Sequence, residues 1–331
     1  MKQSTRILLI VLAAAMLLAF PFLIPSGSML SEYQETWMDW AWNSDALLRR
    51  LLPSASAESA PAALPIDFTP GMEPNPDAYS EDGYQDDSLS VQLETMEEEG
   101  VVWRIARVQI QHPSQLRTGI AGNKVTSSKT SLVSSMAEKY NAVIAISGDY
   151  FVNDPPKTSF EYRMGTKIRS KANRVKDILI IDENGDFHTF IKSDAEKMEA
   201  FSQAGHQIIN AFTFGPALVS EGNLLECDTG YGYNPNGKEP RMAIGQLGAL
   251  SYVLVLAEGR NKESEGVTHQ ELADFMFDLG CLEAFNLDGG NTATMVFHGG
   301  YYQTGRSSTN ERAQSDCIYF ATTVDPVSWS K

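Results

Sequence analysis

The sequence predicts an α+β fold: a mixed, largely antiparallel sheet flanked by helices, preceded by an N-terminal membrane helix and a disordered acidic stalk. Three observations carry this reading. Neighbouring strand-like runs are joined by turn residues, as in hairpins, at several points along the chain. Only two clear helix-to-strand units appear, too few for a doubly wound parallel sheet. An apolar run opens the chain and is followed, from Arg50 to Arg104, by a stretch without lysine or arginine in which Asp and Glu accumulate.

Taken in order, Lys2 to Arg6 are basic and Ile7 to Ile24 are apolar, near the lower limit for crossing a bilayer. Basic residues in front keep the N-terminus inside and export the remainder. Residues 1–24 are therefore a signal anchor or a cleaved signal peptide, with Ser26-Gly27-Ser28 a weak cleavage candidate. Either reading places the rest outside, as a single-pass cell-membrane protein with an extracellular catalytic domain or as a secreted one. The tryptophans of Trp37–Trp42 and the Leu47–Leu52 run suit either a helix on the membrane surface or one packed on the later domain. Residues 25–90 form a juxtamembrane segment and a Pro/Ser/Ala-rich acidic linker, too poor in apolar clusters to offset the entropy of ordering.

The ordered domain is expected over 91–331. Val101 to Ile110 reads as a strand. Ser128 to Tyr140 reads as a helix capped by Thr130 or Ser131, with Leu132, Val133, Met136 and Tyr140 on one face and Asn141 as a left-handed stop. Ala142 to Ile146 is a buried strand that breaks at Ser147-Gly148-Asp149. The basic segment Asp154 to Arg174 reads as a solvated loop. Asp177–Ile181 and Phe187–Ile191 flank Asn184-Gly185 as a hairpin. Ala211 to Val219 is an apolar run cut by Gly215-Pro216, and Gly230 to Gly237 is loop-like. Arg241–Gln246 pairs with Ser251–Leu256. Thr268 and Glu271 make a capping box before Leu272, Phe275, Met276 and Leu279, and Gly280 ends that helix. A strand then runs to Asp288, and Cys317 to Ala321 is the last.

Two units thus share a plan of helix, stop, buried strand and a carboxylate beside glycine, one ending at Asp149 and the other at Asp288. If both strands lie in one sheet and point the same way, both carboxylates emerge on one edge, where sites concentrate.

Composition excludes several classes. The 331-residue chain has a formal net charge of −16, which argues against nucleic acid as a partner. Its five histidines show no metal-ligand spacing, and no cofactor or metal is expected. Cys227, Cys281 and Cys317 are too few for a disulfide framework; one disulfide or three thiols both remain open. No Gly-x-Ser-x-Gly elbow or P-loop is present. What remains is carboxylates at strand ends, glycines, hydroxyls, amides and arginines. Paired carboxylates serve glycoside cleavage, and guanidinium groups suit phosphate.

Ala145–Phe151, Phe214-Gly215-Pro216, Arg241–Gly245, Asn286–Met295 and Arg312–Asp316 together resemble, in order, the motif series of the phosphodiester glycosidase family. That family holds the uncovering enzyme and bacterial proteins tied to exopolysaccharide biosynthesis. The resemblance spans roughly Val101 to Val324. It implies hydrolysis of a sugar-1-phosphodiester at the anomeric carbon, with a sugar-phosphate or glycan as partner. It also implies Asp149 and Asp288 as catalytic carboxylates, Arg241 and Arg312 on phosphate, and Asn286, Asn291 and Thr294 on sugar or phosphate. Gly148, Gly289 and Gly290 would permit close approach.

Taken singly, each residue has a blander role: either arginine as a surface ion pair, with Asp316 a partner for Arg312, and Asp149 as a turn cap. Ser147, Asn291 and His298 depart from the usual family pattern at the expected sugar-contacting edge, which bears on which sugar is bound. A membrane-anchored glycan-binding or scaffolding protein of exopolysaccharide assembly is the competing reading, and a metal-dependent phosphodiesterase a distant third.

Overall fold

A computed structural model describes residues 63–122, 124–151, 160–172 and 174–330. The strands among them form three sheets, and every strand pair is antiparallel. The expected mixture is therefore antiparallel throughout the described residues. The largest sheet has nine strands, in the order Tyr79–Ser80, Gly83–Gln85, Leu89–Glu98, Val101–Ile110, Ser251–Ala257, Arg241–Gly248, Glu283–Leu287, Ala217–Ser220 and Asn223–Leu224. A five-stranded sheet runs Phe187–Phe190, Ile178–Asp182, Ile208–Phe212, Phe160–Arg163 and Thr166–Ser170. The other five-stranded sheet runs Gly300–Tyr301, Met295–Phe297, Ile144–Ser147, Asp316–Phe320 and Leu116–Ile120.

Alternation along the strands explains how the sheets stack. In Ser251–Ala257, Tyr252, Leu254 and Leu256 share a core with Ile146 and Ile318 of one small sheet and Leu179 and Phe212 of the other. Val253, Val255 and Ala257 face the opposite way, onto Leu272, Ala273 and Met276 of the helix His269–Asp278. A strand buried on both faces reads as an unbroken apolar run. The helix Val133–Lys139 covers the outer face of one small sheet, against Ala145, Val296 and Tyr319. The helix Ala195–Gln203 covers the other through Met198 and Phe201. Each large apolar side chain so buried contributes about 1.5–3 kcal/mol.

Local signals explain the helix ends. Thr268 and Glu271 form the expected capping box, and Gly280 follows at φ 83°. The earlier helix differs from expectation: it begins at Val133, and its N-cap Leu132 offers no side-chain bond. Neither Thr130 nor Ser131 caps it. The carboxylate of Glu311, distant in sequence, instead accepts from the Val133 N–H and the Ser134 hydroxyl, satisfying donors a helix start leaves open. Asn141 is the expected left-handed stop, at φ 54°.

The acidic stretch is ordered earlier than its composition suggests. From Leu64 onward it packs on the domain, with Tyr84 and Leu89 in the main core. Buried Arg117 explains much of this. Its Nη1 donates to the Pro65 carbonyl, its Nη2 to those of Asp67 and Thr69, and its Nε to the Tyr319 hydroxyl. Polar bonds to one guanidinium supply what apolar content does not. The linker expected over 25–90 thus gives way to the domain by residue 63. The run Ile7–Ile24, the segments Trp37–Trp42 and Leu47–Leu52, and the stretch up to Ala62 lie outside the described residues. Among the described residues no helix is long and apolar enough to cross a membrane. The three cysteines are free thiols, with Cys281 and Cys317 buried.

Candidate functional site

The two carboxylate-bearing units do not share a sheet. Ile144–Ser147 belongs to a five-stranded sheet and Glu283–Leu287 to the nine-stranded one. They meet at their ends all the same. The Asp288 N–H donates to the Gly148 carbonyl at 3.1 Å, the Ser147 N–H to the Thr294 carbonyl at 3.1 Å, and the Ser147 hydroxyl to the Asp288 carbonyl at 3.2 Å. Ser147, one of the departures from the family pattern, thus holds the Asp288 backbone. Glycine is needed on both sides of this junction. A Cβ on Gly148 would lie 2.7 Å from the Asp316 carboxyl, and one on Gly289 would lie 2.6 Å from the Pro240 carbonyl oxygen. Gly290 sits at φ 60° and donates to that same oxygen.

Asp149 points inward. It is 1% exposed, and its Oδ2 and Oδ1 accept from the Thr213 and Phe214 N–H groups at 2.6 and 3.0 Å. Beside it lies Arg163, which the sequence places in a solvated basic loop and which is fully buried instead. Arg163 Nε pairs with Asp316 Oδ2 at 2.6 Å, and its Nη2 lies 2.9 Å from Glu161 Oε2 and 3.8 Å from Asp149 Oδ2. The Arg163 guanidinium also lies over Phe212, 4.1 Å from the ring centre. Asp316 therefore partners Arg163, not Arg312, and its Oδ1 accepts from the Asp149 N–H. Three carboxyls face one cation in this pocket. Burial and then the neighbouring Asp149 push Glu161 well above the ordinary glutamate range, which favours its neutral form. Burial also raises Asp149. Both Glu161 oxygens and Arg163 Nη2 lack a hydrogen-bond partner of acceptable geometry among the described residues, so the cluster is held by charge proximity, which a buried site tolerates only while the cation is present. The rest of the basic segment lies partly outside the described residues, Asp154 and Lys157 included.

Asp288 is differently placed. It is 8% exposed, and its Oδ2 accepts from Gln314 Nε2 at 3.1 Å. Burial raises its carboxyl to about 6, against the lowering effects of Gln314, the Thr292 hydroxyl and the Arg312 charge. Arg312 is exposed and lies over the Tyr150 ring, 4.6 Å from its centre. Tyr150 has φ 50°, a conformation uncommon for a bulky residue. It is set by the turn that Gly148 and buried Asp149 impose.

Arg241, expected on phosphate, is buried and commits all five donors within the chain. Nε donates to the Val267 carbonyl, Nη1 to the Tyr233 carbonyl and His269 Nε2, and Nη2 to the Asn234 and Gly237 carbonyls. It shapes the 233–237 loop, whose Tyr233 stacks on Phe214 with ring centres 4.0 Å apart. Its charge, together with burial, holds His269 down at about 3, so that imidazole is neutral.

Asn286 and Thr294 are also buried. Asn286 Nδ2 donates to the Gly215 carbonyl at 2.7 Å, while its Oδ1 and the Thr294 hydroxyl make no hydrogen bond among the described residues. Asn291 is exposed, and its Oδ1 accepts from Arg260 Nη1 at 2.9 Å.

His298, expected at the sugar-contacting edge, is elsewhere. Its strand runs antiparallel to Ile144–Ser147, with Met295 opposite Ile146 and Phe297 opposite Ile144. His298 therefore sits at the far end of the strand, four positions and roughly 13 Å at strand spacing from Ser147. There it stacks on Tyr79.

The structure thus gathers Asp288, Gly289, Gly290 and Arg312 at one edge, with Asp149 directly beneath. Tyr150, Thr292, Gln314, Glu161 and Arg163 join them without having been singled out. Tyr150 and Gln314 lie within the quoted motifs. Nothing in the local sequence distinguishes Glu161 or Arg163.

The catalytic domain of zebrafish N-acetylglucosamine-1-phosphodiester alpha-N-acetylglucosaminidase, auto-inhibited by its pro-peptide, superposes with a TM-score of 0.54 at 16% identity, covering 76% of this chain and 86% of that one. A hypothetical protein from Synechocystis gives 0.49 at 14% identity, over 70% of this chain and 62% of that one. The SPbeta prophage-derived uncharacterized protein YomE of Bacillus subtilis is 33% identical over 109 residues, which is 33% of this chain and 17% of that protein. Residues 140–321, a span that holds both strand-end carboxylates and Arg312, match the phosphodiester glycosidase family, and the chain belongs to it.

Proposed function

We propose that the chain hydrolyses a sugar-1-phosphodiester, of the N-acetylglucosamine-1-phosphodiester kind, at the anomeric carbon. The observation that carries this is the pairing of a carboxyl raised to about 6 at Asp288 with Arg312. Among the described residues, that guanidinium makes no hydrogen bond or ion pair and rests on Tyr150. A base works best when its pKa lies near the working pH, and a phosphomonoester leaves without strong acid assistance. In this reading a water attacks the anomeric carbon and passes its proton to Asp288. The C–O bond to phosphate breaks, and the electron pair leaves on the phosphate oxygen facing Arg312. The guanidinium fork suits that developing charge.

Asp149, with both oxygens on backbone N–H groups, fixes the floor of the site and does not attack. With one carboxylate free to react, displacement is single and inverts the anomeric centre. Gly289 and Gly290 let the sugar approach the backbone, and Asn291 supplies an exposed amide. The substrate would be a cell-surface or exopolysaccharide-type glycan reached from outside the membrane, with the N-terminal helix as anchor.

Incubating the purified full chain with UDP-N-acetylglucosamine, and following free sugar by proton NMR, tests both the reaction and its stereochemistry. Release of sugar by the wild type and none by Asp288→Asn supports the proposal. Tight sugar-phosphate binding without turnover would instead support the glycan-binding reading.

A further inference from the structure

A second cluster lies away from this edge, at the far end of the strand Ile178–Asp182. Its histidines are separated in sequence yet converge in space. His188 Nε2 and His206 Nδ1 both approach Asp182 Oδ2, at 3.1 and 3.2 Å, and Glu183 Oε1 lies 3.6 Å from the same His206 nitrogen. We propose that Asp182, Glu183 and His206 bind a divalent transition metal of the zinc class, with His188 beside them on Asp182 Oδ2.

The geometry supports this in three ways. First, zinc with nitrogen and oxygen ligands at 2.0–2.2 Å in a tetrahedron requires neighbouring donors about 3.3 Å apart. The observed separations fall around that value, and the Asp182, Glu183 and His206 donor atoms all lie within 4.8 Å of one another. Second, each carboxylate is anchored by one oxygen and presents the other. Asp182 Oδ1 accepts from the Asn184 and Asp186 N–H groups at 2.8 and 3.0 Å, and Glu183 Oε2 from the Gln207 N–H at 2.6 Å. Partners of this kind orient metal ligands. Third, His206 Nδ1 is buried and, despite its neighbours, makes no hydrogen bond of acceptable geometry. A ring nitrogen lying close to two carboxylate oxygens but bonded to neither is placed to share a cation with them.

Mixed imidazole and carboxylate donors favour zinc over calcium or magnesium. Phe201 walls the site, edge-on to His188 and stacked on His206, with ring centres 4.9 and 5.2 Å away. The metal would tie the 183–186 turn to the loop after the helix Ala195–Gln203. Its role is then structural, independent of the reaction at Asp288.

The test uses the full chain, purified without a histidine tag and stripped with chelator, then titrated with zinc chloride by calorimetry. One zinc should bind per chain with a dissociation constant at or below roughly 1 µM. His206→Gln should weaken it by about 100-fold or more. Cobalt(II) should give the intense visible bands of a four-coordinate site, absent in the same variant. Glu183 lies at the surface, so Glu183→Gln provides a second reading if His206→Gln fails to fold, again with weaker zinc binding expected. Absence of saturable zinc binding, or equal affinity in wild type and Glu183→Gln, would overturn the proposal. The cluster would then be a hydrogen-bonded network alone.

Discussion

The backbone N–H of Asp288 donates to the carbonyl of Gly148 at 3.1 Å, and this bond joins the ends of strands from two different sheets. It brings two carboxylates to one place while giving them opposite settings. Asp149 turns down onto backbone donors and Arg163, whereas Asp288 stays at the rim beneath Arg312. Function and stability therefore separate by residue.

Asp288→Asn should make the protein more stable and inactive. A carboxyl raised from 3.8 to about 6 by burial binds a proton more tightly in the folded state than in the unfolded chain. The stability it contributes is complete below about pH 4 and is lost as the pH rises through 6. At pH 7 the buried carboxylate costs up to ~3 kcal/mol, which a neutral amide avoids. Urea melts at pH 7 should show a gain of about 1–3 kcal/mol, with turnover reduced at least ~1000-fold. The gain should vanish at pH 4. A variant that is less stable at pH 7 than at pH 4, relative to wild type, would contradict the placement of Asp288.

The rate should carry the same ionisation with the opposite sense. In the proposed mechanism Asp288 is a base that works only when ionised, so kcat/KM should fall about tenfold per pH unit below 6 and level off above it. Arg312 helps hold the carboxyl down against burial, so Arg312→Ala should move that limb to higher pH. A rate that rises as the pH drops below 6 would assign Asp288 as an acid instead.

Much of the fold was legible because its signals are local. The strand Val101–Ile110, the hairpin around Gly185 and the capping box at Thr268 and Glu271 each rest on residues a few positions apart. Gly148 and Gly289 were legible as points of close approach, which the structure makes to the Asp316 carboxyl and the Pro240 carbonyl. What stayed hidden depends on partners distant in sequence. Arg163 looks like any basic loop residue until Asp316 and Glu161 enclose it. The helix at Val133 takes its cap from Glu311, and the acidic stretch is ordered by Arg117. Arg241 lies in a motif, but only the structure places its donors on the 233–237 loop. Sheet membership was left as a condition for the same reason: two units with one local plan can end side by side in different sheets.

The Arg163 cluster predicts an asymmetry between its members. Removing the cation leaves Asp149 and Asp316 buried without compensation, so Arg163→Met should cost about 3–5 kcal/mol in chemical melts. Burial and Asp149 favour the neutral form of Glu161, and Glu161→Gln keeps that shape and neutrality. It should cost less than ~1 kcal/mol. Equal, large losses in both variants would mean that Glu161 is ionised in the folded state.

The two arginines of the family motifs should fail in different ways. Arg241 spends its donors on Val267, Tyr233, Asn234, Gly237 and His269, and so Arg241→Ala takes a charged donor from four carbonyls, of which only those of Val267 and Asn234 keep a backbone N–H, from Glu239 and Gly237. A loss of about 3 kcal/mol or more is expected, seen as a lower melting temperature before any kinetic effect is measured. Arg312 is exposed and rests on Tyr150, so Arg312→Ala should leave stability within ~0.5 kcal/mol. Its loss should appear with substrate, as a roughly 10- to 100-fold drop in kcat/KM for a phosphodiester. Arg312→Lys should recover only part of that drop, because a point charge cannot present the paired N–H fork. An aryl glycoside of the same sugar, which carries no phosphate, is the control that isolates the effect. If Arg312→Ala slows hydrolysis of both substrates equally, Arg312 acts through Asp288 and the phosphate is held elsewhere.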